Sequence, residues 1–252
     1  MQIKVTGLVV METNLGERDK VITILTSEKG LIRAITKGVK SISNKNVGAT
    51  QLFSYSRFIL YKGKSGYIVD DSEIQEVFFN LRNSIEKIAL SQYFCDLALA
   101  LSPENGDARD FLRLMLNSFD YLCNEKRNFD MIKSIVEMKM ISLAGYMPDV
   151  VCCQKCGKYE DDLVYFSFEL GSFYCGCCKD GLKNKCIAIR KGTLIALRHI
   201  IYAPFNKLFN FRLSDNAQSE LTNLCENYVI YQLDRKFKTL DFYKSLTNYK
   251  FV

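Results

Sequence analysis

The chain has 252 residues, a formal net charge of +6, one histidine and no tryptophan, and its 48% apolar and 25% charged fractions are those of a folded protein with a water-facing surface. At this length two or three packed units sharing a core are expected. A lone imidazole, His199, excludes histidine-rich metal sites and argues against base triads. No run of eighteen apolar residues occurs and the opening MQIKVTGLVV lacks a cleavable signal pattern, so a cytoplasmic chain with no membrane span is expected.

The charge is segregated along the chain: residues 1–69 carry +7, residues 70–150 carry −6 and residues 151–252 carry +5. From Lys29 to Val69 there are eight basic residues and no acid, and the same stretch holds Phe53, Tyr55, Phe58, Tyr61 and Tyr67. Cations interleaved with aromatics suit a polyanion that also offers stackable bases, so a nucleic-acid surface is expected there. Within this run Arg57, Lys62 and Lys64 are candidate DNA contacts on charge alone.

Five strands are expected first, at about 3–12, 21–26, 31–37, 51–61 and 67–75, separated by glycine-bearing turns and by no segment of helix length. Such a module predicts a small closed barrel of the oligonucleotide-binding (OB) type. Along 51–61 the odd positions Phe53, Tyr55, Arg57, Ile59 and Tyr61 share one face and Leu52, Phe58 and Leu60 the other, and either face suits a core. From residue 80 the period becomes helical: Leu90, Phe94, Leu97 and Leu101, then Leu112, Met115, Phe119 and Leu122, then Ile132, Val136, Met140 and Leu143 recur at steps of three and four. Three helices follow, ended by Pro103, by 124–128 and by Gly145 to Pro148, and two more are expected at about 190–202 and 214–237, with Ser214 as N-cap. The expected class is therefore α+β, an OB-type barrel over 1–79 and a helical domain over 80–252 with a cysteine module inserted at about 149–186.

Seven of the ten cysteines fall between Cys152 and Cys186. Taken as Cys153-x2-Cys156, eighteen residues, then Cys175-x2-Cys178, they have the spacing of two knuckles completing one tetrahedral thiolate site, so a single structural zinc is expected. Cys152 and Cys177 offer alternative pairings with longer or shorter spacers and remain spares. Four protein ligands leave no open position for water, which makes the site structural. A second acid-free run, 181–214, contains Lys183, Lys185, Arg190, Lys191, Arg198, Lys207 and Arg212 and extends the possible positive surface. Gly63-Lys64-Ser65 lacks the earlier glycine of a phosphate loop, no nucleophile elbow or zinc-protease motif occurs, and the pairs Asp70-Asp71 and Asp161-Asp162 read as surface turns. An enzyme is not expected.

The stretches Gly7 to Val10, Gly16 to Thr26 and Lys29 to Gly38 resemble the N-terminal barrel of the RecO family of bacterial recombination mediators, and Leu143 to Pro148, Cys153 to Gly157 and Gly171 to Cys178 resemble its later part. The resemblance runs in order through nearly the whole chain and is weakest after about Lys207. It implies a non-catalytic protein that binds single- and double-stranded DNA, anneals complementary strands, works with RecR to load RecA, takes the acidic tail of single-strand-binding protein, and acts in the nucleoid. Carried over residue by residue, it marks Arg33, Lys37 and Lys40 for phosphate contact. The doubled cysteines depart from the common pattern, which leaves the ligand set open between neighbours. The rivals are an RNA-binding zinc-ribbon factor of transcription or translation and a thiol redox enzyme using Cys175-x2-Cys178.

Overall fold

Alternating β-branched and apolar residues build β1 (Gln2–Leu15), β2 (Asp19–Thr26), β3 (Gly30–Thr36), β4 (Ser54–Gly63) and β5 (Gly66–Val77). In the computed structural model, which describes residues 2–38, 46–63, 66–180 and 186–248, these strands close into a barrel of order β1-β2-β3-β5-β4. Neighbours are antiparallel except β3 and β5, whose parallel pairing of Ala34 with Tyr67 completes the closure. The OB-type barrel expected from the strand pattern is thus present. Closure decides the faces of β4: Phe58 and Leu60 enter the core with Val5, Val9, Ile22, Ile24 and Ile32, while Arg57 and Tyr61 face outward.

Among the described residues, six α-helices follow the barrel. Ser84 caps α1 (Ile85–Leu101) by accepting from the Lys87 N–H, α2 (Arg109–Cys123) follows the turn after Pro103, and Asn128 caps α3 (Phe129–Ile141) by accepting from the Asp130 N–H at 2.7 Å. A π-helical turn at Ser142–Tyr146 with Gly145 at φ 98° stops α3 before Pro148. The cysteine segment forms β6 (Leu163–Ser167), β7 (Ser172–Cys175) and β8 (Cys186–Arg190), ordered β7-β6-β8. After α4 (Lys191–Tyr202), the helix expected over 214–237 ends at Leu233, and a further helix that was not expected follows it. Ser214 does cap α5 (Asp215–Leu233), but Asp234 turns left-handed at φ 45° and α6 (Lys238–Asn248) starts anew. No helix of the described residues is long and apolar enough to cross a membrane.

Packing groups the chain into two units, one of the residues up to Glu125 together with those from Phe237 on, the other Lys126–Lys236. The division at 79/80, in contrast, follows the change of sequence period. In the first unit Phe53 meets Phe119 edge-on at 5.4 Å and Phe119 meets Phe78 at 5.3 Å, which seats α2 against the barrel end. α6 returns to α1 through Tyr93 and Phe237 at 5.5 Å and the Thr239 hydroxyl donating to Asp96 at 2.7 Å. In the second unit α3 and α5 enclose an ion triad: the Lys133 ammonium lies 2.9 Å from Glu137 and 2.9 Å from Glu226.

The β2–β3 turn is strapped to the α1–α2 connection by Leu31 N–H donating to the Pro103 carbonyl at 2.9 Å and Ala108 N–H donating to the Ser27 carbonyl at 2.8 Å. Gly30 permits this, since it sits at φ +64° and a Cβ there would lie 2.0 Å from the Pro103 oxygen. Gly30→Ala is expected to destabilise the first unit by at least about 1–2 kcal/mol, the usual cost of left-handed backbone for an L-residue before any clash is added. Chemical denaturation checks this; an unchanged midpoint would refute the tight strap.

Candidate metal centre and nucleic-acid interface

The first knuckle is a tight turn. Gly157 N–H donates to the Cys153 carbonyl at 2.9 Å, Cys153 N–H donates to the Lys158 carbonyl at 2.9 Å, and Gly157 supplies the required φ of +74°. The second is the end of β7 and the 3₁₀ turn Gly176–Cys178. The Gln154 N–H donates to the Phe173 carbonyl of β7 at 3.1 Å, which brings one knuckle beside the other. Asp161 ties them, accepting from Gly176 N–H at 3.1 Å and pairing with Lys158 at 3.1 Å.

The Sγ atoms of Cys153, Cys156, Cys175 and Cys178 all lie within 4.8 Å of one another, and the Cys156 and Cys175 sulfurs are 3.6 Å apart. A tetrahedron with metal–sulfur bonds of about 2.3 Å has sulfur–sulfur edges of about 3.8 Å, so the four thiols fit one ion. These are the four that the two-residue spacers select; Cys152 and the exposed Cys177 are outside the cluster. Burial pushes the Cys153 thiol up, yet backbone N–H groups of Cys175, Cys156 and Lys155 outweigh burial and bring it down to about 6. Hydrogen bonding to the Cys175 and Cys156 sulfurs pushes Cys178 up to about 12. One thiolate is favoured and further ionisation is opposed by crowding, a conflict that a divalent cation at the centre removes.

Arg198 of α4 is buried and holds the knuckle segment, donating to the Val150 carbonyl at 2.7 Å and the Val151 carbonyl at 2.9 Å, with its guanidinium 4.0 Å from the Tyr159 ring centroid. It is therefore a structural cation. Arg190 pairs with Glu220 and Lys191 with Glu160, so three cations of the second acid-free run are met by partners from elsewhere in the chain. Lys183 and Lys185 lie outside the described residues, while Lys207 and Arg212 are exposed.

On the barrel, Arg33 stands exposed on β3 between buried Ile32 and Ala34, and Lys37 is exposed just beyond it. Lys62 is exposed near the end of β4, Arg57 pairs with Glu73 at 3.2 Å, and Lys40 and Lys64 lie outside the described residues. The barrel also displays two cations absent from the expected contact set. A groove of about 430 Å³ is lined by Lys4, Thr6, Thr26, Lys29 and Arg57. A neighbouring cleft of about 300 Å³ shares Glu28 and Lys29 with it and continues to Arg33 and Tyr67. Among the described residues, Lys4, Lys29 and Arg33 have no carboxylate within ion-pair distance. Lys29 belongs to the acid-free run and was legible there. Lys4 reaches Arg57 only through the β1–β4 pairing, in which Thr6 faces Arg57, and no local pattern marks it.

The family model described as recombination protein O, N terminal, matches residues 1–78, and that for recombination protein O, C terminal, matches residues 82–241. The chain is 34% identical over 98% of its length to the DNA repair protein RecO of Acetivibrio thermocellus, covering 98% of that protein. It is 29% identical to the RecO of a Thermoanaerobacter species and 26% identical to that of Alkaliphilus metalliredigens, in each case over 98% of this chain and the whole of the relative.

Proposed function

As the chain belongs to the RecO family of DNA repair proteins, we propose that it is a recombination mediator that binds single- and double-stranded DNA on its barrel, anneals complementary strands and, with RecR, loads RecA onto DNA coated with single-strand-binding protein. The observation that carries this reading is the pair of adjoining barrel grooves bordered by Lys4, Lys29 and Arg33, cations that form no ion pair among the described residues. Annealing makes and breaks no covalent bond. It requires two phosphate backbones to be brought together with their repulsion neutralised, which Lys and Arg do while releasing condensed counterions. Affinity therefore falls steeply with salt, and contacts to phosphate carry little sequence preference. The acidic tail of single-strand-binding protein is a further partner of this reading, and the nucleoid its place of action.

Zinc is the metal the four thiols fit best. The donors are all soft sulfur, the set is closed and no carboxylate or imidazole joins it. Bound there, zinc supplies folding energy and no reaction step. Cys153 and Cys156 from one knuckle and Cys175 and Cys178 from the other hold it, while Asp161 and Arg198 hold the knuckles.

The test is fluorescence-monitored annealing of complementary oligonucleotides coated with single-strand-binding protein, without ATP, across a salt series. Acceleration that fades as salt rises is expected. Lys4→Ala, Lys29→Ala and Arg33→Ala together should weaken DNA binding and reduce the slope of log affinity against log salt by about 0.7 to 0.9 for each phosphate no longer neutralised. An unchanged slope refutes the placement on this barrel. Tighter binding of structured RNA than of single-stranded DNA at equal salt would instead favour the RNA-binding zinc-ribbon alternative.

A further inference from the structure

The smaller barrel cleft, of about 300 Å³, is lined by carboxylates as well as cations. Its apolar part is Leu31 and Tyr67, both half-buried, the tyrosine packed against the barrel core. Its charged part is Lys29 and Arg33 together with Glu28 and Glu104, all four exposed, and among the described residues none of the four is ion-paired. The nearby Asp107, in contrast, is engaged by Arg109 at 2.6 Å. Opposite charges that share a cleft without closing on one another leave both signs available to a ligand. Phosphate alone has no use for the carboxylates, which repel it. A nucleotide has use for both: its phosphates suit Lys29 and Arg33, its flat ring suits an aliphatic and aromatic wall, and an exocyclic amine donates to a carboxylate.

We infer that this cleft takes one nucleobase of the bound single strand, and that Glu28 and Glu104 favour bases bearing an exocyclic amine over thymine. The inference rests on the single-strand-binding reading above and adds a base preference to it. Cytosine and thymine have the same ring size and differ where it matters: cytosine presents the N4 amine as a donor, whereas thymine presents O4, whose lone pairs face those of the carboxylate. The cleft is preformed. The connection that carries Glu104 is fixed to the barrel at both ends by the backbone bonds from Leu31 to Pro103 and from Ala108 to Ser27, so little ordering accompanies binding.

Fluorescence anisotropy with labelled oligodeoxycytidine and oligothymidine of equal length, at mildly alkaline pH where cytosine N3 carries no proton, reads the preference directly. The cytidine strand should bind about fivefold more tightly, the low end of what one good base contact is worth. Glu28→Gln with Glu104→Gln should bring the ratio close to unity while tightening both strands, because two negative charges leave the groove and an amide both donates and accepts. Equal affinity of the two strands for the unmodified protein, with a normal salt slope, overturns the base preference and leaves the binding reading standing. Binding of neither strand overturns that reading and the inference with it.

Discussion

Cys153→Ser or Cys175→Ser is expected to lose the bound zinc and with it the fold of the cysteine hairpin. β6, β7 and β8 are only five, four and five residues long, and a sheet of such short strands has little core of its own without a staple. A zinc ion held by the four thiols would close two turns at once, and in small zinc modules such binding supplies about 10 to 16 kcal/mol of apparent folding energy near neutral pH. Phe166 and Phe173 are fully buried in this hairpin, with Tyr228 of α5 edge-on to Phe166 at 5.4 Å, so loss of the knuckles exposes aromatic surface. The expected results are one zinc per unmodified chain by elemental analysis, none in either variant, and faster amide exchange through the hairpin. Cys152→Ser and Cys177→Ser should retain the metal, because neither sulfur belongs to the cluster. Zinc retained by Cys153→Ser but lost by Cys152→Ser would reassign the first knuckle. DNA affinity of the barrel is expected to survive chelation, since its cations lie on the barrel strands and the β2–β3 turn, which carry none of these thiols.

Lys133→Met should be the most damaging single change outside the metal centre. Lys133 and Glu137 are one helical turn apart on α3 with 1% and 0% of their side chains exposed, and Glu226 of α5 completes the triad at 13%. Taking the ammonium away leaves two carboxylates facing each other out of water, for which about 3 to 5 kcal/mol of destabilisation is expected. Exchanging all three residues for apolar ones of similar volume should restore most of the loss, because the desolvation of three charges disappears with their attraction. Burial pulls the Lys133 amine down, but Glu137 and then Glu226 outweigh it and hold it above its ordinary 10.5. A raised amine contributes stability that is fully present below about pH 10.5 and is lost only as pH rises through the higher folded-state value. Denaturation midpoints read against pH test both points. A neutral single variant would show that the triad does not hold α3 to α5, and a triple replacement that stays as unstable would show that the attraction within the triad outweighs the desolvation of its charges.

Much of the barrel was legible because a strand declares itself within a few residues: short apolar, β-branched runs and the alternation along 51–61 marked all five, and glycine-bearing turns separated them. The knuckles were legible for the same local reason, since a two-residue spacer places both thiols on one turn. The last helix was not. The apolar pattern runs on past Leu233, and only the left-handed Asp234 breaks it and sends α6 back to α1. Charge was read least reliably, because a run without acids in sequence need not lack acids in space. Arg190 and Lys191 meet Glu220 and Glu160 across the fold, and Arg198 turns inward to bind carbonyls.

The sequence by itself determined the five strands, most of the helices and the four-cysteine spacing, since each depends on residues one turn or one strand apart. Tertiary structure alone decided which face of β4 is core, that Lys4 joins Arg57 on one groove, and that Glu104 stands across a cleft from Arg33. Those neighbours are brought together by strand pairing and by the strap at Gly30, and proximity created by chain closure leaves no periodic trace in the residues it joins.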